Sequence, residues 1–221
     1  MAANDDVIGQ LVRDLRPVRP LPLPTVRTAS WALSAAALAA LVTVLLGVRA
    51  DLRAISAVGG FQVHAALLFV AALASSGAAL ASAVPGELTS AWRRVAPFFV
   101  AAAWCSWLIA EVAVAAQNGR WEPVARGWGC VAKALAITLV PSALLIAMIA
   151  RAASPNVRRT CIYAALASSA VGALGVEITC PISNPLHLLL WHAGPMVAAV
   201  PLAVGVAMII NRRCARHLVR R

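Results

Sequence analysis

Eight residues of this 221-residue chain carry chemistry that an apolar chain does not need: Cys130 and Cys180, His64, His187 and His192, Glu111 and Glu177, and Lys133. Thiolates and imidazoles together are ligands for copper or zinc, and two thiols that meet on an oxidising side can instead form a disulfide. None of the five cysteines falls in a CxxC or zinc-ribbon spacing, which counts against a membrane thiol oxidoreductase. His187 and His192 lie five apart, so an ideal helix sets them about 140° from each other. Both reach one ion only if that helix starts irregularly, and Pro195, which cannot donate to the Trp191 carbonyl, is a place for such an irregularity. Lys133 sits one turn from Cys130, where its charge favours the thiolate.

What must position these residues is a membrane bundle. Hydrophobic residues are 62% of the chain and charged residues 12%, half of the roughly 25% charge that a soluble domain carries. The apolar residues come in six blocks, Ala29–Val48, Phe61–Val84, Val95–Ala116, Trp128–Ala150, Thr160–Ile178 and Leu186–Ile210, each near the ~20 residues that a helical crossing needs. The blocks are continuous rather than alternating, which excludes a barrel. The expected fold is all-α, a polytopic bundle of six transmembrane helices over residues 29–210, with an arm at 1–28 and a basic tail at 211–221. The 28 mostly polar residues before the first block separate it from a secretory signal. Abundant alanine in every block predicts close helix approach.

Net charge is +11, which invites a nucleic-acid reading. The basic residues are instead scattered over the connections between blocks, Lys133 alone excepted, so no direct nucleic-acid partner is expected. Fourteen arginines fall on the side of the N-terminus and four, Arg49, Arg53, Arg120 and Arg126, on the other. That bias puts both termini in the cytoplasm of a multi-pass protein of the bacterial inner membrane. All eight reactive residues then lie toward the outer face. Ionisable groups at membrane depth are costly and mark a partner or a cavity, so their convergence reads as a site. The alternative is an ion pair of Glu111, Glu177 and Lys133, with the histidines at headgroup depth. Trp121, Trp128 and Trp191 fit an interfacial belt.

The N-terminal arm has its own pattern. Asn4 can cap a helix, Asp5 and Asp6 occupy its first turn and Arg13 and Arg16 its last, all suited to the helix dipole. Val7, Ile8, Leu11, Val12 and Leu15 form one apolar stripe. Pro17 ends the helix, and Pro20, Pro22 and Pro24 make a stiff extended link. The stripe can lie on membrane lipid or fill a groove on a cytoplasmic protein; the link, which holds the helix off the membrane, favours the groove.

In four places, VIGQLVRDLRPVRPL at 7–21, VPG at 84–86, GWGC at 127–130 and TCP at 179–181 followed by HLLLWHAGP at 187–195, the chain resembles the NrsF family. These are six-helix membrane anti-sigma factors that hold back SigF-type extracytoplasmic-function sigma factors, and the likeness covers nearly the whole chain. It implies a non-enzymatic regulator that binds a sigma factor through the arm and releases it when the outer face is perturbed; the thiols and imidazoles leave metal and oxidant both open as the stimulus. The family's paired cysteines map onto Cys130 and Cys180. In the sequence itself, Pro141 is expected to interrupt the fourth helix and Pro195 and Pro201 the sixth, points where a pull on those cysteines becomes a change at the inner face. No small-molecule substrate is expected. The rival is a transporter or channel for a small solute or metal, which would need polar groups through the midplane rather than at one face.

Overall fold

The computed structural model describes residues 20–86, 90–119, 124, 126–152 and 154–219, with side chains through 209. The sequence-predicted arm helix and its residues Val7, Ile8, Leu11, Val12, Arg13, Leu15 and Arg16 lie outside this range. The described chain is helical: α1 (Pro24–Leu46), a short α2 (Leu52–Ile55), α3 (Gly59–Ser82), α4 (Ala91–Gln117), α5 (Trp128–Ala150), α6 (Val157–Thr179), and α7, which runs from Pro185 through a π-helical segment at Leu188–Ala193 to Val219. Six of these are long and apolar enough to cross a membrane. Six crossings bring the chain back to the side on which it began.

The first helix begins at Pro24, inside the expected extended link. Proline suits a first helical position, where its missing N–H has no partner to lose. The added turn has a use: the Arg27 guanidinium donates to the Met148 carbonyl at 2.6 Å, satisfying an orphan acceptor near the end of α5. Pro141 does not interrupt α5, which continues through it; the Pro141 carbonyl accepts from Trp31 Nε1 of α1 at 3.1 Å.

Helix α6 is the centre of the bundle, with 56% of its most apolar stretch buried against 11% for α4. It packs on α3, α5, α7 and α1. One core joins α3, α4, α6 and α7 around Leu68, Trp104, Leu108 and Leu166. A second joins α1, α3, α5 and α6 around Trp31, Leu145 and Tyr163, and a third places Ile137, Val176 and Cys180 together. The α5–α6 contact is close because α6 presents glycine to it. A Cβ on Gly172 would overlap the Thr138 hydroxyl, and one on Gly175 would stand 2.8 Å from Ile137 Cδ1. Small residues let membrane helices approach through packing rather than through hydrophobic exclusion. This contact sets the register that brings the start of α5 level with the end of α6.

Candidate metal centre

Cys130 lies in the first turn of α5, and Cys180 follows directly on α6. Their sulfurs are 3.3 Å apart and both thiols are free. Asn184 begins α7: its Oδ1 accepts from the backbone N–H groups of Leu186 and His187 at 2.9 and 3.2 Å, and Pro185 takes the first helical position. His187 Nε2 then stands 3.5 Å from Cys130 Sγ and 3.6 Å from Cys180 Sγ.

The helix start is irregular, as a shared site requires. Pro195 has no N–H for the Trp191 carbonyl, and Gly194 donates instead to Leu189, five residues back. An i→i+5 repeat is that of a π-helix, a form frequent at functional sites, and it brings residues five apart toward one face. The His187 and His192 rings therefore meet edge to face with centroids 5.6 Å apart. One donor atom from each of Cys130, Cys180, His187 and His192 lies within 4.8 Å of the others.

The donor set fits a metal ion. Two cysteines and two histidines are a tetrahedral zinc set, with bonds of about 2.0–2.3 Å, and the thiolates also suit monovalent copper. His192 supplies an independent sign: it is 2% exposed, and neither ring nitrogen has a hydrogen-bond partner. Leaving such a polar atom unsatisfied costs about 1–3 kcal/mol, and a bound cation would partner one of the two nitrogens. Beside the site, the Trp191 ring meets Trp128 edge-on at 5.1 Å. A Cβ on Gly127 would overlap that ring, so the glycine before Trp128 leaves the room that Trp191 needs. Trp121 lies outside the described residues.

The other predicted site residues form a separate group. His64 of α3 bridges the two carboxylates, Nδ1 to Glu177 Oε1 at 3.2 Å and Nε2 to Glu111 Oε2 at 3.0 Å. Trp107 Nε1 donates to Glu111 Oε1 at 2.9 Å. Lys133 joins neither glutamate; its ammonium donates to the Thr179 carbonyl at 3.2 Å. The alternative of a glutamate–lysine ion pair is therefore not met; a glutamate–histidine–glutamate bridge stands in its place, because α3 lies between α4 and α6 and puts His64 between their carboxylates.

The family model described as NrsF, negative regulator of sigma F, matches residues 11–216. The chain belongs to the NrsF family. No curated protein and no solved structure matches it. Membership makes this NrsF-family protein a membrane regulator with an anti-sigma role and a sigma factor as its partner, a regulatory rather than a catalytic assignment.

Arg49, in the sequence of this NrsF-family chain a topological charge alone, ties two outer connections together. Its backbone N–H donates to the Ile178 carbonyl at 3.0 Å. Its guanidinium holds Asp51 at 2.7 and 2.9 Å, the Pro181 carbonyl at 3.2 Å and the Ser183 hydroxyl at 3.0 Å. The link after α1 is thereby clasped to the loop that carries Cys180. The bidentate bond raises the Arg49 pKa above its usual value and lowers that of Asp51. The nearby acid two residues on was the available signal.

Proposed function

We propose that this protein is an anti-sigma factor of the bacterial inner membrane that holds a SigF-type extracytoplasmic-function sigma factor on its cytoplasmic arm, residues 1–28, and releases it when a metal ion occupies Cys130, Cys180, His187 and His192 at the periplasmic face. The observation that carries this reading is the meeting of four donor atoms within 4.8 Å, at the bundle end opposite the arginine-rich connections. The positive-inside bias supports placing that end outside. An ion there ties the ends of α5, α6 and α7 to one another. Switching a two-state protein from mostly holding to mostly releasing takes about 5.5 kcal/mol, and a structural zinc site supplies about 10–16 kcal/mol.

A second reading rests on the 3.3 Å between the sulfurs. Cys130 and Cys180 can pass two electrons and two protons to an oxidant and form a disulfide, so that the stimulus is oxidative. One experiment addresses both. The full-length protein and its sigma factor are reconstituted in lipid nanodiscs, and release is followed on adding zinc, copper or an oxidant. Release by metal and its loss in Cys130→Ser and Cys180→Ser support the metal sensor. Release by oxidant alone supports the disulfide. Release that survives in both serine variants ends the paired-thiol reading. The arm is tested alongside: a peptide of residues 1–28 captures the sigma factor, and Leu11→Asp with Leu15→Asp abolishes capture. Retained capture would move the interface elsewhere.

A further inference from the structure

Cys180 stands in the middle of a segment that one residue holds from both sides. The backbone N–H of Arg49 donates to the Ile178 carbonyl at 3.0 Å, two residues before the cysteine. Its guanidinium donates to the Pro181 carbonyl at 3.2 Å and to the Ser183 hydroxyl at 3.0 Å, one and three residues after it. Asp51 accepts two further bonds from the same guanidinium and fixes its direction. A metal ion or a second sulfur that draws on Cys180 therefore draws on Arg49 too.

Arg49 in turn stands close to the end of α1. Gly47 and Val48 alone part it from Leu46, the last residue of that helix, and two residues take up little slack. The inner half of α1 is tied to α5, the helix that carries Cys130. Trp31 Nε1 donates to the Pro141 carbonyl there, and the Arg27 guanidinium to the Met148 carbonyl. So α1 is held at its outer end to the segment of one sulfur and along its inner half to the helix of the other. Beside it a cleft of about 380 Å³, lined by Ala36 and Ala40 of α1, Phe69 of α3 and Leu174 of α6 among others, gives the helix room to shift. At its inner end α1 runs into the arm without a break, because Pro24–Thr28, the last residues of the arm as read from the sequence, are the first residues of the helix.

We infer that α1 is the element that carries the state of the outer centre to the arm, and that Arg49 is the positioning residue that couples the two. A rigid helix with hydrogen bonds at both ends is a physical route for such coupling, and it is tested by breaking one of those bonds. This role rests on the regulatory reading above and deepens it. By linkage, if zinc loosens the sigma factor, the sigma factor weakens zinc binding by the same factor.

The sample is the full-length protein in lipid nanodiscs, and the probes are zinc and a thiol oxidant. Nitroxide labels are set at two exposed positions toward the inner ends of their helices, Leu33 of α1 and Phe99 of α4, through a ketone-bearing amino acid that leaves the native cysteines alone. Zinc should change the distance between the labels, read by pulsed electron resonance, by about 1–2 Å, the size of helix shifts in switching proteins. Arg49→Gln should abolish that change. Zinc binding to the variant alone should stay within about threefold of wild type, while the weakening of zinc binding by the sigma factor, about 5–150-fold for couplings of this kind, should fall to near one. A distance change or a coupling that survives in Arg49→Gln overturns the inference. So does outright loss of zinc affinity in a folded variant, because Arg49 would then build the centre rather than transmit from it. Where thermal melts show Arg49→Gln unfolded, Ser183→Ala, which removes one of the bonds, decides instead: reduced coupling supports the role of Arg49 and unchanged coupling overturns it. A wild type that binds zinc without moving its labels also overturns the inference. A wild type that moves them and keeps its sigma factor sinks the anti-sigma switch and leaves α1 as the moving element. If zinc does not bind, the metal reading fails, and the same distance measured after the oxidant closes the cysteine pair decides for or against α1.

Discussion

His192 separates the two possible stimuli, because a disulfide between Cys130 and Cys180 needs no imidazole and a four-donor metal site does. Loss of an outer partner of a metal ligand already costs about 10–100-fold in affinity, and loss of a ligand costs more. His192→Ala should therefore weaken zinc binding by at least 100-fold, measured by competition with a chromophoric chelator, while the cysteine pair still closes under an oxidant. Equal zinc affinity in the variant would remove His192 from the centre. The two cysteines were legible from their types and from their positions at block ends. The relation of the histidines was not, because it depends on one unusual hydrogen bond, Gly194 to Leu189, that a spacing of five argues against in an ordinary helix. Glu111, Glu177 and His64 were legible as a group, but not as a bridge. That required knowing that α3 lies between α4 and α6, and residue types at membrane depth do not specify which helices are neighbours.

At the scale of the helices, the π segment and the glycine contact each make one testable demand. Deleting Leu189 removes the extra residue of the wide turn and returns His187 and His192 to a spacing of four, about 40° apart on an ordinary helix. The π turn absorbs that one residue, so Ala193 and Met196 keep their places in the core. Zinc binding should therefore survive the deletion, and membrane insertion, read by protease protection of the connections, should persist. Lost binding would show that the width of the π turn itself, and not a shared helix face, orders the ligands. Gly172→Leu attacks the register instead: its side chain must displace Thr138, and overpacking of this kind costs about 1–3 kcal/mol. The Cys130–Cys180 disulfide, counted by a gel shift after mild oxidation, should form less completely than in the wild type. Unchanged yield would mean that α5 and α6 are held level by other contacts. The helices themselves were largely legible, since block length and charge set most of their limits to within a few residues; the last runs on to Val219, through the segment read as a tail beyond 210. The early start of α1 was missed because prolines were read as breakers, although the first helical position is where proline belongs.

For the molecule as a whole, orientation decides which face meets the stimulus. With native cysteines replaced by serine, Asn118→Cys should react with an impermeant thiol reagent in intact cells and Ser90→Cys should not; the reverse pattern would put the donor cluster in the cytoplasm. Both positions are exposed, so a lack of reaction reports compartment rather than burial. The donors come from one stretch of the chain, in the order Cys130, Cys180, His187 and His192, on α5, the end of α6 and the start of α7. A ribosome delivers that order in time. The arm emerges first, and on the proposed role it can grip its partner while the later helices are still being made. Until α7 is threaded into the membrane the centre lacks its histidines, so a half-made chain would silence transcription and be deaf to metal. Synthesis stalled before residue 187 would then yield a constant repressor, and the rate at which newly made chains finish would set how soon a cell can respond.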